Sequence, residues 1–183
     1  SPILFEPFRS QKSLGSFILV DSLNNRTLAA GMIKFSLYRA DNIFPQKSEI
    51  TRADREILNN HKSKIIWLTG LSGSGKSTIV NAYEKKLHKL GLRTYVLDGD
   101  NIRKGINKDL GFTDADRIEN IRRVAEISKL LVDAGIVVIA AFISPFKAER
   151  LMARSLFKKG EFIEVFLKVP IEVAERRDPK GLY

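Results

Sequence analysis

The 183-residue sequence predicts an α/β protein in which a parallel sheet is flanked by helices and preceded by a short β segment. From Lys64 onward, short unbroken apolar runs alternate with stretches of helical period, the pattern of strands buried on both faces and joined by helical crossovers. The first of these runs leads into the glycine-rich stretch GLSGSGKST at residues 70–78, and a helical pattern follows directly. Before residue 60 the rhythm is different: alternating segments are separated by Asn-Asn, which points to a hairpin.

In the first part, SFILVD places Phe17 and Leu19 on one face of a strand and Ile18 and Val20 on the other. SLNNRT is a turn, and TLAAGMIKFSLYRA is a second strand. A lone hairpin is only marginally stable in water. Residues 1–45 are therefore read as a piece of a larger β domain, residues 46–63 as a linker with a short helix, and residues 64–183 as the α/β domain.

In the α/β domain, KIIWLTG is the first buried strand. STIVNAYEKKLHKL is a helix with Ile79, Tyr83, Leu87 and Leu90 as its apolar stripe, closed by Gly91. RTYVL is the second strand, and ADRIENIRRVAEISKLLVDAG is a long amphipathic helix that again ends in glycine. IVVIAAFI, the helix SPFKAERLMARSLF, the strand FIEVFLKV and the short helix PIEVAERR, with proline in its first turn, complete the order. Right-handed crossovers then make the sheet parallel.

The composition narrows the function classes. Hydrophobic residues make up 44% of the chain, which suits a globular protein and not a disordered one. No apolar run is long enough to span a bilayer, and the N-terminal residues lack a signal-peptide pattern. With no cysteine, disulfide and thiolate chemistry are excluded, and a cytoplasmic location is expected. The net charge of +10 is spread along the chain. It suits either a lysine-biased surface or arginines that face phosphates, and membrane and nucleic-acid partners are not expected.

Gly70, Leu71, Ser72, Gly73, Ser74, Gly75, Lys76 and Ser77 match G-x-x-x-x-G-K-[ST], and Thr78 follows. Glycines let successive backbone N–H groups converge on an anion, and the helix that follows adds its positive end. Lys76 is placed to reach the β- and γ-phosphates of a nucleoside triphosphate, and Ser77 to ligate the Mg²⁺ that bridges them. A switch-type GTPase would also carry a base-reading N-K-x-D; INKDLG at residues 106–111 lacks the spacer and lies too early in the sheet. The reading is therefore a P-loop kinase.

The acceptor side comes from residues 97–135. Asp98 and Asp100 sit at the carboxyl end of the second strand, where open α/β sheets place their chemistry. Such a carboxylate suits proton transfer from a hydroxyl, or magnesium through water; Asp100 also suits a helix N-cap. Of Arg103, Arg117, Arg122 and Arg123, some belong to helix surface, and Arg123 can pair with Glu119. Phe112 stands in a polar loop, either stacking on a base or anchoring the loop in the core.

GLSGSGKST, DGDNIRKGINKDLGF, RIENIRRVAEISKLLVDAG, AFISPFKAER and RDPKGLY together closely resemble adenylylsulfate (APS) kinase across residues 64–183. The resemblance implies transfer of the γ-phosphoryl of ATP to the 3′-hydroxyl of adenosine 5′-phosphosulfate, giving PAPS. It implies Asp98 as the carboxylate assisting that hydroxyl, with Lys76 and Ser144 as further catalytic positions. Arg103 and Arg117 correspond to arginines that hold the phosphosulfate, Asn120 to a polar substrate contact and Phe112 to an aromatic that stacks on adenine. Asp100 and Ile143 are counted with the substrate-binding residues. Ser144, in FISP, matches a serine designated as a phosphoserine intermediate, and before Pro145 it also suits a helix cap. A homodimer is expected. The family usually has cysteine where this chain has Ala174.

GSFILVDSLNNRTLAAGMI resembles the end of the GTPase-type subunit of sulfate adenylyltransferase (ATP sulfurylase), in which case residues 1–45 are the last strands of its C-terminal barrel. A bifunctional fusion cut at both ends follows, with the enzyme's small subunit as a partner of the intact form. The segment that follows RDPKGLY in the family, a basic lid, a second stacking aromatic, a last strand and a helix, lies beyond Tyr183, so weak turnover by this chain is expected. Another small-molecule P-loop kinase, or a non-catalytic nucleotide-binding fragment, is the alternative reading.

Overall fold

The structure, a computed structural model, describes residues 16–21, 25–32 and 46–177. Strands β1 (Ser16–Val20) and β2 (Thr27–Met32) pair antiparallel, with Phe17 opposite Gly31 and a register shift between Leu19 and Val20. Asn25 takes a left-handed φ of 55° in the turn, the conformation that asparagine tolerates there. The expected second strand extends beyond Met32, and residues 33–40 lie outside the described residues.

The chain divides into two compact units between Lys47 and Ser48. The second unit opens with helix α1 (Arg52–Asn59), within the stretch read from sequence as a linker. Thr51 and Asp54 form a reciprocal capping box at its start. Arg52 donates to the backbone carbonyl of Ser63 (2.8 Å) and pairs with Glu161 (3.0 Å), and Asn59 Nδ2 donates to the carbonyl of Gly135 (2.9 Å). These bonds tie α1 to the body of this unit.

Next come β3 (Ile65–Thr69), α2 (Lys76–Lys89), β4 (Thr94–Asp98), α3 (Gly99–Lys104), α4 (Asp114–Asp133), β5 (Val137–Ala141), α5 (Lys147–Ser155), β6 (Phe162–Phe166) and α6 (Ile171–Arg177). The four strands form a parallel sheet in the order β4-β5-β3-β6, as the alternation of apolar runs and helices predicts. Every residue of β3 and β5 is buried, which explains why these runs show no polar alternation.

Side chains leave the central strands alternately. Ile65 and Trp67 join Val138, Ala140, Ile121, Val124 and Ala153 in one core layer, with α4 and α5. Trp67 is stacked between Phe142 and Phe162, with ring centroids 5.8 and 5.6 Å away. Ile66 and Leu68 join Val137, Ile139, Ala141 and Val80 of α2 in the other layer.

The apolar stripe expected on α2 is corrected here. Val80 is buried and Leu87 half-buried, whereas Ile79, Tyr83 and Leu90 are exposed. The helix begins at Lys76, immediately after the glycine loop, and that start sets its rotation. Glu84 lies on the sheet side, where the Thr94 hydroxyl meets its carboxylate at 3.4 Å.

Candidate active site

The glycine loop joins the carboxyl end of β3 to the amino end of α2. Gly70, Gly73 and Gly75 have positive φ, 151°, 70° and 91°. A Cβ at Gly73 would stand 2.6 Å from the carbonyl oxygen of Ala174, and one at Gly70 would stand 2.8 Å from that of Leu167. Both obstacles are backbone, so glycine is required for close approach as well as for backbone angle. Lys76 Nζ donates to the carbonyls of Gly70 (2.8 Å) and Leu71 (2.7 Å), which holds the ammonium against the loop. Ser77 and Thr78 are exposed in the first turn of α2.

A cleft of about 790 Å³ lies beside this loop. Residues 72–78 line it, as do all the acceptor-side positions expected from the sequence: Asp98, Asp100, Arg103, Phe112, Arg117, Asn120, Ile143 and Ser144. The carboxyl ends of β3, β4 and β5 thus bring together segments that lie far apart in the chain.

Asp98 is the N-cap of α3, and its Oδ1 accepts the N–H of Asp100 at 3.0 Å. The cap expected at Asp100 is therefore two residues too late; Asp100 lies inside the helix and is exposed at the cleft. Phe112 is 73% exposed, which excludes the core-anchor reading. The Arg103 guanidinium lies 4.7 Å from its ring centroid and donates to the carbonyl of Gly111 (2.8 Å). Arg117 Nε donates to the carbonyl of Phe112 (3.0 Å). Two cations thus brace the aromatic loop and line the cleft.

Arg122 and Arg123 belong to the ion-paired helix surface. Both bind Glu119 (2.7 and 2.8 Å), and Arg123 also binds Asp109 (2.8 Å). Hydrogen bonding from Arg122, opposed by burial and reinforced by Arg123, holds the Glu119 carboxyl at about 2.

Ser144 departs from the expected helix cap. Helix α5 begins at Lys147, and its N-cap position is Phe146, which makes no side-chain cap bond. Ser144 is 2% exposed with φ of 34°. Its Oγ accepts from Trp67 Nε1 (3.1 Å) and donates to Thr69 Oγ1 (3.0 Å), which donates to the carbonyl of Ile143 (2.7 Å). The hydroxyl thus accepts one bond and donates its proton within the core. Arg150, bonded to Glu164 (2.8 Å), also donates to the carbonyls of Ser144 (2.8 Å) and Pro145 (3.0 Å). Sequence reasoning missed this bracing, because Arg150 reads as an ordinary helical residue.

Three further residues were missed. Arg177 lines the cleft, and its position at the head of RDPKGLY was the available signal; residues 178–183 of that motif lie outside the described residues. Asn107 is fully buried and donates to Asn120. Glu149 is 3% exposed. Burial pushes its carboxyl up, against the backbone N–H of Phe146 and the opposing charges of Arg150 and Arg117.

Among the described residues no cluster of three or more His, Cys, Asp or Glu could hold a metal ion. Magnesium is commonly held by phosphates, water and one or two protein oxygens, and the Ser77 hydroxyl with the cleft carboxylates fits that donor set.

A strand–glycine loop–helix cradle at the carboxyl end of a central strand of a parallel sheet, opening on a cleft with carboxylates and arginines, defines a P-loop nucleotide-binding protein of the kinase kind. The sequence model of adenylylsulphate kinase matches residues 62–183, and that of a GTP-eEF1A C-terminal domain-like unit matches residues 1–34. The bifunctional enzyme NodQ of Rhizobium tropici is 57% identical over all of this chain, which spans 29% of that protein's length. A probable adenylyl-sulfate kinase of Bacillus subtilis is 58% identical over 78% of this chain and 71% of its own. The solved structure of Mycobacterium tuberculosis APS kinase CysC in complex with AMPPNP and APS superposes with a TM-score of 0.64 at 49% identity, covering 67% of this chain and 72% of that one. The chain belongs to the adenylylsulphate kinase family.

Proposed function

We propose that this chain transfers the γ-phosphoryl of ATP to the 3′-hydroxyl of adenosine 5′-phosphosulfate, giving PAPS in sulfate activation. The observation that carries the proposal is the single cleft in which the glycine loop faces Asp98, Arg103, Phe112, Arg117 and Asn120. Backbone N–H groups of residues 72–77 and the α2 terminus bind the triphosphate, and Lys76 neutralises charge that develops on the transferring group. Magnesium, when bound, would neutralise charge on the phosphate oxygens; the Ser77 hydroxyl would hold it, with the carboxylates of Asp98 and Asp100 lining the same cleft.

On the acceptor side, Phe112 offers its exposed face to adenine, and Arg103 and Arg117 offer guanidinium donors to the phosphosulfate. Asp98 accepts the proton of the 3′-hydroxyl. One of its oxygens is committed to the helix cap, which fixes its orientation. Ser144 lines the cleft wall together with Ile143. Its hydroxyl is bonded on both sides in the core, which supports direct in-line transfer over a phosphoserine intermediate. A second copy of the chain, a sulfate adenylyltransferase small subunit acting with a bifunctional whole protein, and a cytoplasmic setting complete the proposal. Among the described residues no helix is long and apolar enough to cross a membrane.

A substrate panel tests this reading. ADP release should depend on APS and fall sharply with AMP, adenosine, gluconate or shikimate as acceptors. Equal rates with an acceptor that lacks the sulfate would overturn it, since the arginines would then not be selecting the phosphosulfate.

A further inference from the structure

Asn120 lines the cleft and is only 5% exposed, and its Oδ1 accepts a 2.9 Å hydrogen bond from Nδ2 of Asn107. A side-chain amide has one accepting end and one donating end. With Oδ1 engaged on the protein side, Asn120 keeps Nδ2, a donor, as the polar atom without a bond among the described residues. Arg103 and Arg117, on the same cleft, also offer only donors.

We propose that Asn107 is a positioning residue for Asn120: it sets the hand of the Asn120 amide so that the cleft presents donors to an anionic acceptor nucleotide. This rests on the acceptor-site reading above. The reverse orientation would aim carbonyl lone pairs at the ligand's phosphosulfate oxygens, and acceptor would face acceptor. Asn107 is fully buried in the connection between α3 and α4. Its N–H donates to the carbonyl of Ile102 (3.0 Å), and its own carbonyl accepts from Leu110 N–H (3.1 Å), so its backbone is held on both sides. Its Oδ1 is buried without a partner among the described residues, a costly arrangement. Leucine has a similar volume and would avoid that cost; the bond to Asn120 accounts for an amide at this place.

The test compares Asn107→Asp and Asn107→Leu with the unchanged protein. A carboxylate can only accept, so Asn107→Asp turns the Asn120 donor inward. KM and Kd for APS should rise about tenfold or more, the scale of one hydrogen bond to a charged group, while the Kd for ATP stays within about twofold. Asn107→Leu removes both the bond and the orphaned oxygen. It should fold at least as well and weaken APS binding by less than Asn107→Asp. If Asn107→Asp does not fold, the Leu variant alone carries the test. APS affinity unchanged within twofold in the folded variants, or APS and ATP weakened equally, would overturn the proposal. Side-chain ¹⁵NH₂ resonances of Asn120 read the orientation directly, because they should shift in either variant. Unshifted resonances overturn the positioning role even if APS proves not to be the acceptor. Failure of the unchanged protein to phosphorylate APS would instead strike the functional reading.

Discussion

The Nζ of Lys76 lies 2.8 Å from the carbonyl oxygen of Gly70, six residues before it at the start of the glycine loop. That bond places a cation at the glycine loop, where the proposed reaction would transfer the phosphoryl group. Lys76→Ala should lower turnover by about 10²–10³-fold, the usual effect of removing one transition-state charge contact. Steady-state kinetics, with thermal unfolding as the control for folding, checks this. Near-normal turnover in a folded variant would remove Lys76 from the mechanism.

Under the proposed function, Phe112 is expected to serve the acceptor nucleotide more than ATP. Its ring is exposed, and the Arg103 guanidinium lies against it. Phe112→Ala should weaken APS binding by about 1–3 kcal/mol, the worth of one base–aromatic stack. Calorimetry with each nucleotide separates the outcomes: equal losses for APS and ATP would mean that the ring supports the whole cleft.

Gly73→Ala should impair both folding and nucleotide binding. The new Cβ would meet the Ala174 carbonyl at 2.6 Å, at a φ of 70°. The positive φ alone costs about 1–3 kcal/mol, and the backbone contact leaves no side chain to rotate away. Chemical denaturation and ATP titration measure the two effects; an unchanged midpoint would show that the loop moves freely from α6.

Two buried carboxyls should bend the stability–pH curve in opposite directions. Burial alone would raise Glu56, but Lys62, the N–H and hydroxyl of Ser63, and Arg52 outweigh it and hold the carboxyl at about 2. Its contribution is present above the unfolded value of about 4.5 and is lost as pH falls toward 2. Glu149 is raised by burial, so stability falls as pH rises from its unfolded value through its folded one. Glu149→Gln should raise the unfolding midpoint at neutral pH, and Glu56→Gln should lower it and flatten the acid limb. Parallel shifts in both variants would contradict the assigned environments.

What was legible in the sequence was contiguous. The glycine loop, the strand before it and the helix after it are adjacent, so one stretch carried both the motif and its context. Phe112 stood out because an aromatic in a polar loop fits no packing period. The phase of α2 was not legible: period 3.6 admits several apolar stripes, and the loop before Lys76 chose the one through Val80. Ser144 read as a cap from Ser-Pro alone, while its burial depends on Trp67, 77 positions away in sequence. Asn107 sits among the polar residues of INKDLG, and only the fold sets it beneath Asn120.

The most direct test of the central claim follows the phosphoryl group itself. The protein is incubated with APS, Mg²⁺ and ATP labelled in its γ-phosphorus, and the labelled product is treated with a 3′-nucleotidase. Transfer to the 3′-hydroxyl predicts one labelled nucleotide that keeps its sulfate and releases all its label as phosphate under that enzyme. Label that stays on protein serine, appears only as inorganic phosphate, or resists the 3′-nucleotidase would contradict the account.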